Sequence, residues 1–350
     1  MSPYAERPPR NFWKTGIPRN EIGNIRDLYH RKFEISASDR IATAGSCFAQ
    51  HITARLRASG YDVMDMEPAP PWLPEGVLRD HGYGLFSARY GNIYTARQLL
   101  QLARESMGEA TPARTVWDRK GRYYDSQRPA VDPRGLDSRE EVLALRLEHL
   151  RQVRRMFANM DVFVFTLGLT EAWMSSDGST VYPTAPGTIA GKFQASDYVF
   201  HNFTFDEIVS DLEAFRDLVG QNNPDFRMIL TVSPVPLTAT ATDDHVLSAS
   251  TYSKSVLRAV AGHMASMHES IEYFPSFELI SSHVAQGKFF NENLRTVNTE
   301  GVEAAMRMFL QQHPVLDKHR ARAFDQTERV ADPLDEETRC EDELLEAFAK

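Results

Sequence analysis

The chain has 350 residues, 42% of them hydrophobic and 25% charged, with a formal net charge of -9. That length allows one large domain or two ordinary ones, each able to bury its own core. The acidic balance gives no broad electrostatic footprint for nucleic acid or anionic lipid, so no nucleic-acid partner is expected. No apolar run reaches about 18 residues, so no membrane span is expected. The opening residues, MSPYAERPPRNFWK, lack the apolar stretch of a secretory signal. Two cysteines do not make a disulfide framework, which points to a reducing cytoplasm.

In chain order, residues 1–39 read as an irregular arm, proline-rich at its start. Residues 40–44 (RIATA) read as a short buried strand. CFAQHITARLRASG follows with Phe48, Ile52 and Leu56 at helical spacing and Gly60 as a stop. YDVMDM reads as a second strand and EPAPPWLPEG as loop. A helix starts after Thr95, a good N-cap. TVWDRKGRYYDS reads as a surface hairpin, and 137–158 as a long charged helix. MDVFVFTLGLTEAW opens with a continuous apolar run, the pattern of a strand buried on both faces. TFDEIVSDLEAFRDLVG is an amphipathic helix with Thr204 and Glu207 spaced as a capping box. FRMILTVSPVP is another buried strand, SASTYSKSVLRAVAGHMASMH a helix, IEYFP a last strand and NTEGVEAAMRMFLQQH a final core helix. Strands alternating with helices predict an α/β fold of three layers, α/β/α, around a parallel sheet over 40–315. Residues 316–350 are charged and apolar-poor, a peripheral helix or partly disordered tail. Cys340 there reads as an incidental surface thiol.

Ligands bind outside the carboxyl ends of the strands in open parallel sheets. Three polar clusters fall at such ends. They are Gly45-Ser46-Cys47, then Gly168-Leu169-Thr170-Glu171 with Trp173, and Ser233-Pro234-Val235-Pro236 followed by Asp243-Asp244-His245. Cys47 begins a helix, where unpaired N–H groups favour an anion and lower a thiol pKa from about 8.5. The competing reading is a small residue packing the corner. Ser46 has its own plain reading as an N-cap.

The pentapeptide GSCFA, with TLGLTEAW, TVSPVPLTATATDDHVLSASTYSKSVLRAVAG and YFPSFE, resembles the GSCFA family over roughly residues 40–310. That family is similar in layout to SGNH (GDSL-like) hydrolases, which implies the three-layer α/β/α fold. In those enzymes the nucleophile stands in a Gly-Asp-Ser run, and the resemblance places it on Cys47, with Ser46 in the Asp position. It implies oxyanion or supporting roles for Gly91, Gly168, Thr170 and Glu171, Thr170 standing where the family layout has Asn. The Asp-x-x-His before the final helix is absent: Asn293 and Thr296 occupy its spacing. His245 is then the candidate base, against a plain reading as a solvated loop histidine. His51, His201 and His283 are weaker. A low-pKa cysteine needs a base less than a serine does.

The remaining features are plainer. Glu171 and Asp177 form a candidate carboxylate pair, although a turn at SSDGST explains Asp177. Trp173, Asp244 and Tyr252 are candidate substrate-lining residues, and Lys254 reads as surface. No Cys/His spacing indicates a metal, and no GxGxxG or GxxxxGK cradle exists, so no cofactor is expected. Two functions follow. The first is an acyl-directed enzyme (esterase, thioesterase or acyltransferase) acting on a small-molecule acyl or glycan substrate, with acetyl as the acyl group by fold analogy. The second is a non-catalytic glycan- or acyl-binding protein on a degenerate hydrolase fold. The oligomeric state is left open.

Overall fold

The computed structural model describes residues 2–314 and 341–349. The arm carries a 3-10 turn, Pro9–Asn11, and a short helix, α1 (Trp13–Gly16). Then come β1 (Arg40–Gly45), α2 (Cys47–Ala58), β2 (Asp62–Val63), α3 (Ala96–Ser106), the pair β3 (Val116–Arg119) and β4 (Arg122–Asp125), and α4 (Arg139–Asn159). Next are β5 (Val162–Leu167), β6 (Glu171–Ser175), β7 (Val181–Tyr182), β8 (Tyr198–Asn202), α5 (Phe205–Gly220) and β9 (Arg227–Val232). The chain continues through α6 (Val246–Met267), β10 (Ile271–Tyr273), α7 (Ser276–Ser281) and α8 (Thr299–Gln312). Thr95 and Thr204 both cap their helices in reciprocal capping boxes, with Gln98 and Glu207 as partners.

The apolar runs form one five-stranded sheet in the order β10-β9-β5-β1-β2, every neighbouring pair parallel. Alternation along each strand divides the core. Ala42, Ala44, Phe163, Phe165 and Leu167 face one side, where α3, α4, α5 and α6 pack. Ile41, Val162 and Val164 face the other, against α2, α7 and α8. A buried Phe or Leu contributes roughly 1.5–3 kcal/mol, and both faces are continuous with such residues. The fold is therefore α/β in three layers.

Two features were not expected. The arm is fastened to the domain: Tyr29 and Ile35 are buried in the second core, and the Tyr29 hydroxyl bonds the Glu272 carboxylate and lies 2.8 Å from His313 Nε2. The segment after β5 also builds a small antiparallel sheet, β7-β6-β8. Trp117 of the β3–β4 hairpin joins it by stacking on Tyr182 at 5.3 Å and donating from Nε1 to the Tyr198 hydroxyl at 3.1 Å. The hairpin expected at the surface is thus half embedded. The tail expectation over 316–340, Cys340 included, falls outside the described residues, while Glu341–Phe348 is a 3-10 helix.

From β1 the chain steps to β2 on one side, and every later sheet strand lies on the other. The order reverses between β1 and β5, which is where open α/β sheets hold ligands. Gly45 ends β1 opposite Thr166. Its φ is +140°, and an added Cβ would stand 2.5 Å from the Thr166 carbonyl oxygen and 2.8 Å from its nitrogen. Backbone atoms cannot give way as a flexible side chain does. Gly178 has a left-handed φ of +71° but nothing within 4 Å. Gly45→Ala should cost at least about 3 kcal/mol and Gly178→Ala only about 1 kcal/mol in urea unfolding. Equal losses would mean that the close approach of β1 and β5 is not required.

Candidate active site

Gly45 turns the chain out of β1, and Ser46 precedes the first turn of α2. The Ser46 amide donates to the Thr166 carbonyl at 3.2 Å, and the Ser46 carbonyl accepts from Ala49 N at 2.8 Å. Ser46 occupies the N-cap position, yet its side chain makes no capping bond. This corrects the expectation of a capping hydroxyl. Ser46 Cβ is instead pressed against Gly168, where an added Cβ would lie 3.0 Å away. Ser46 Oγ, Thr166 Oγ1 and Thr170 Oγ1 are all buried without a hydrogen-bond partner. A buried unsatisfied group costs about 1–3 kcal/mol, so three at the ends of two adjacent strands is a concentrated polar deficit.

Cys47 is 3% exposed and disulfide-bonded. The expectation of a reduced thiol at this corner therefore does not describe the structure.

The loop after β5 is stitched from several directions. Gly168 N and Leu169 N both donate to the Tyr94 carbonyl at 3.0 Å, and Ile93 N donates to the Gly45 carbonyl at 2.8 Å. The segment Gly91–Tyr94 thus ties both strand ends together. Gly91 itself has a left-handed φ of +70°, and the next residue, Asn92, is buried and accepts from Gln50 Nε2 at 3.0 Å. Thr170 N donates to Ser253 Oγ at 3.0 Å, and Lys254 Nζ donates to the Gly168 carbonyl at 2.7 Å. Lys254 is buried, contrary to its reading as a surface residue. Asn92 and Ser253, which sequence reasoning passed over, and Lys254, which it read as surface, all bond at these strand ends or the helix beside them. A signal for two of them existed, because Ala249, Ser250, Ser253, Lys254 and Leu257 share the buried face of α6 at helical spacing.

The second cluster meets a cavity, and the end of the third does not. Glu171 accepts from Thr240 Oγ1 at 2.7 Å and Ala241 N at 3.2 Å. Trp173 stands edge-on to Phe193 and Phe200. Glu171 and Trp173 both line a cavity of about 210 Å³ that begins at Leu169 and Tyr94. Asp244, His245 and Tyr252 are exposed. His245 caps α6, its Nδ1 accepting from Leu247 N at 3.1 Å. The other histidines also have local duties: His201 pairs with Glu207 at 2.8 Å and His283 stacks on Trp13. His51 packs on Phe48, and burial, then Arg79 and Arg55, push its pKa down to about 4. Asn293 Oδ1 accepts from Arg295 N, Thr296 N and Thr296 Oγ1, so that spacing forms a local turn. Asp177 is held by Ser175 and Ser179 inside its turn and forms no carboxylate pair with Glu171.

The GSCFA family model matches residues 40–309. The chain belongs to the GSCFA family. No curated protein matches this GSCFA chain. Among solved structures it is similar to a carbohydrate esterase family 3 protein from Talaromyces cellulolyticus, at 10% identity and a TM-score of 0.33, covering 77% of this chain and 94% of that one. It is also similar to an acetyl esterase mutant with acetate ion, at 11% identity and a TM-score of 0.32, covering 78% and 97%. An acetyl xylan esterase from the rumen bacterium Butyrivibrio proteoclasticus is 13% identical with a TM-score of 0.27, covering 80% and 65%. Likeness this distant carries nothing about the reaction of this GSCFA protein. No helix among the described residues is long and apolar enough to cross a membrane.

Past the end of β2, a buried charged cluster supports the site's flank. Glu67 Oε2 accepts from Arg89 N at 2.7 Å and lies 2.7 Å from His149 Nδ1. Arg128 and Arg146 converge on Asp125, and Arg146 also reaches Glu105. Burial, with Arg128 adding to it, pushes His149 down to about 4. Burial alone would raise Glu67, but His149, Arg128 and the Arg89 amide hold it at about 2. At pH 7 the pair is thus a neutral imidazole beside a carboxylate. Both folded pKa values lie below the unfolded ones, so each contributes stability at higher pH that is lost on acidification. Unfolding free energy should fall between about pH 6.5 and 4 through His149 and His51, and further between about 4.5 and 2 through Glu67. Urea titrations across pH check this, and His149→Gln should flatten the upper window. A profile flat from pH 7 to 4.5 in the parent protein would contradict it.

Proposed function

We propose that this GSCFA protein is an acyl-directed enzyme, an esterase, thioesterase or acyltransferase, with its reacting atom in the turn Gly45-Ser46-Cys47. The observation that supports this reading is the set of buried, unpartnered hydroxyls of Ser46, Thr166 and Thr170 on both sides of the strand-order reversal. Acyl transfer passes through an oxyanion that needs fixed donors already in place. Hydroxyls with no protein acceptor can donate to such an oxygen without first breaking another bond.

In this reading Cys47 is the nucleophile and its reactive form is the reduced one. A dithiol reductant, such as a cytoplasm supplies, exchanges with the Cys47 disulfide and becomes a disulfide itself, leaving Cys47 as a thiol. The thiolate attacks the substrate carbonyl, and the bond to the leaving alcohol or thiol breaks. The leaving group takes up the proton that the cysteine lost. Water or an acceptor hydroxyl then removes the acyl group from sulfur and restores the thiol. Ser46 offers its hydroxyl to the oxyanion, and Lys254 and Ser253 hold the Gly168–Thr170 loop in place. Two observations favour the second reading, a binding module without turnover: Cys47 is in a disulfide, and His245 is spent on capping α6.

Hydrolysis of 4-nitrophenyl esters by the dithiol-treated protein tests the reading. Cys47→Ala should lower the rate about 10³-fold or more, and Ser46→Ala about 10²-fold, as loss of one oxyanion donor does. Ser46→Ala should leave stability within about 0.5 kcal/mol or raise it, because no capping bond is lost. Untreated protein should be inactive. A rate that survives Cys47→Ala but not Ser46→Ala moves the nucleophile to Ser46. No turnover by any form, with ligand still bound, establishes the binding reading.

A further inference from the structure

The cavity that begins at Leu169 and Tyr94 has a lining that points to an occupant. Its volume is about 210 Å³. That is far above the roughly 10–15 Å³ of such space that one water needs, so the cavity is larger than acetyl, with three non-hydrogen atoms, requires. The walls include Tyr94, Trp173, Tyr182 and Phe200, four aromatic rings around one space, with Leu169 and Leu237. Aromatic faces and edges select flat rings through offset and edge-on contacts. One wall residue, Thr184, has a hydroxyl that is buried and has no hydrogen-bond partner. Leu169 leads directly back to Gly168, whose Cα stands against Ser46. Gly45, Ser46 and Cys47 do not themselves line the cavity; Leu169 and Tyr94, which do, adjoin that turn through Gly168.

We propose that the cavity takes an aromatic acyl group of the benzoyl class, with a polar ring substituent that pairs with Thr184. This rests on the acyl-transfer reading above and replaces acetyl as the expected acyl group. Glu171, already holding Thr240 Oγ1 and Ala241 N, also lines the cavity.

The test uses the dithiol-treated full chain, benzoate and 4-hydroxybenzoate as product mimics, acetate as the control, and calorimetry as a readout that needs no turnover. The 4-nitrophenyl benzoate and acetate esters are assayed in parallel. The aryl acids should bind with at least tenfold lower Kd than acetate, and the benzoate ester should exceed the acetate ester in kcat/KM by at least tenfold. Thr184→Val, nearly isosteric, should weaken 4-hydroxybenzoate about 3- to 10-fold relative to benzoate, the worth of one hydrogen bond. Ala172→Leu, which intrudes on the cavity, should weaken both aryl acids. If the aryl acids bind as expected and no ester is cleaved, the cavity assignment stands and the acyl-transfer reading fails. If esters are cleaved with acetate preferred and the aryl acids bind no better than acetate, the cavity assignment is overturned and the reaction survives. If neither binding nor cleavage occurs, both fall.

Discussion

The site depends on how closely two backbones can approach. β1 and β5 run parallel up to Gly45 and Thr166, and there the missing side chain lets the Thr166 peptide occupy the space a Cβ would need. With that contact in place, Ser46 N can reach the Thr166 carbonyl, and α2 begins immediately afterwards. A second close approach, Gly168 on Ser46 and Tyr94, seats the β5 exit loop against the same turn. Both contacts lie at the reversal in strand order, the place where a doubly wound sheet leaves a crevice.

Such close packing leaves a chemical residue. Backbone groups at the corner are well supplied with partners, but three side-chain hydroxyls are not. Native interiors pair nearly all buried polar groups, so these three hydroxyls are an exception, and the proposed acyl transfer would give them an oxyanion to meet. The loop that carries Thr170 is meanwhile held rigidly by groups from another layer, Ser253 and Lys254 of α6. Burying a lysine is expensive unless its head is hydrogen-bonded, and here the bond goes to the Gly168 carbonyl. Rigid support around unsatisfied donors is the arrangement that electrostatic stabilisation of a transition state calls for.

Much of this was readable in the sequence. Continuous apolar runs such as VFVFTL identified the sheet strands because a parallel sheet buries both faces, and Thr95 and Thr204 marked helix starts because their capping chemistry is local. The corner Gly45-Ser46-Cys47 was legible for the same reason, as a strand end meeting a helix start. Pairings between distant residues were not legible. Nothing in RKFEISASDR shows that Ile35 packs into the domain core, nor that Tyr29 meets Glu272. Lys254 was misread because charge suggested exposure, while the burial of its neighbours on α6 argued the opposite. His245 was read as a base because the Asp-x-x-His before the final helix is missing and it follows the end of a buried strand, and the structure gives it a helix to cap instead. The cavity was invisible because its walls come from loops and from a small sheet whose strands are two to five residues long.

The most direct measurement is the position of a trapped acyl group. Dithiol-treated protein is mixed with an activated aryl ester, quenched in acid within the first turnover, and analysed by intact mass and peptide mapping. The account predicts one added acyl group, located on Cys47 and absent from Cys47→Ala. An adduct on Ser46, or acyl groups scattered over surface lysines and unchanged by Cys47→Ala, would contradict it.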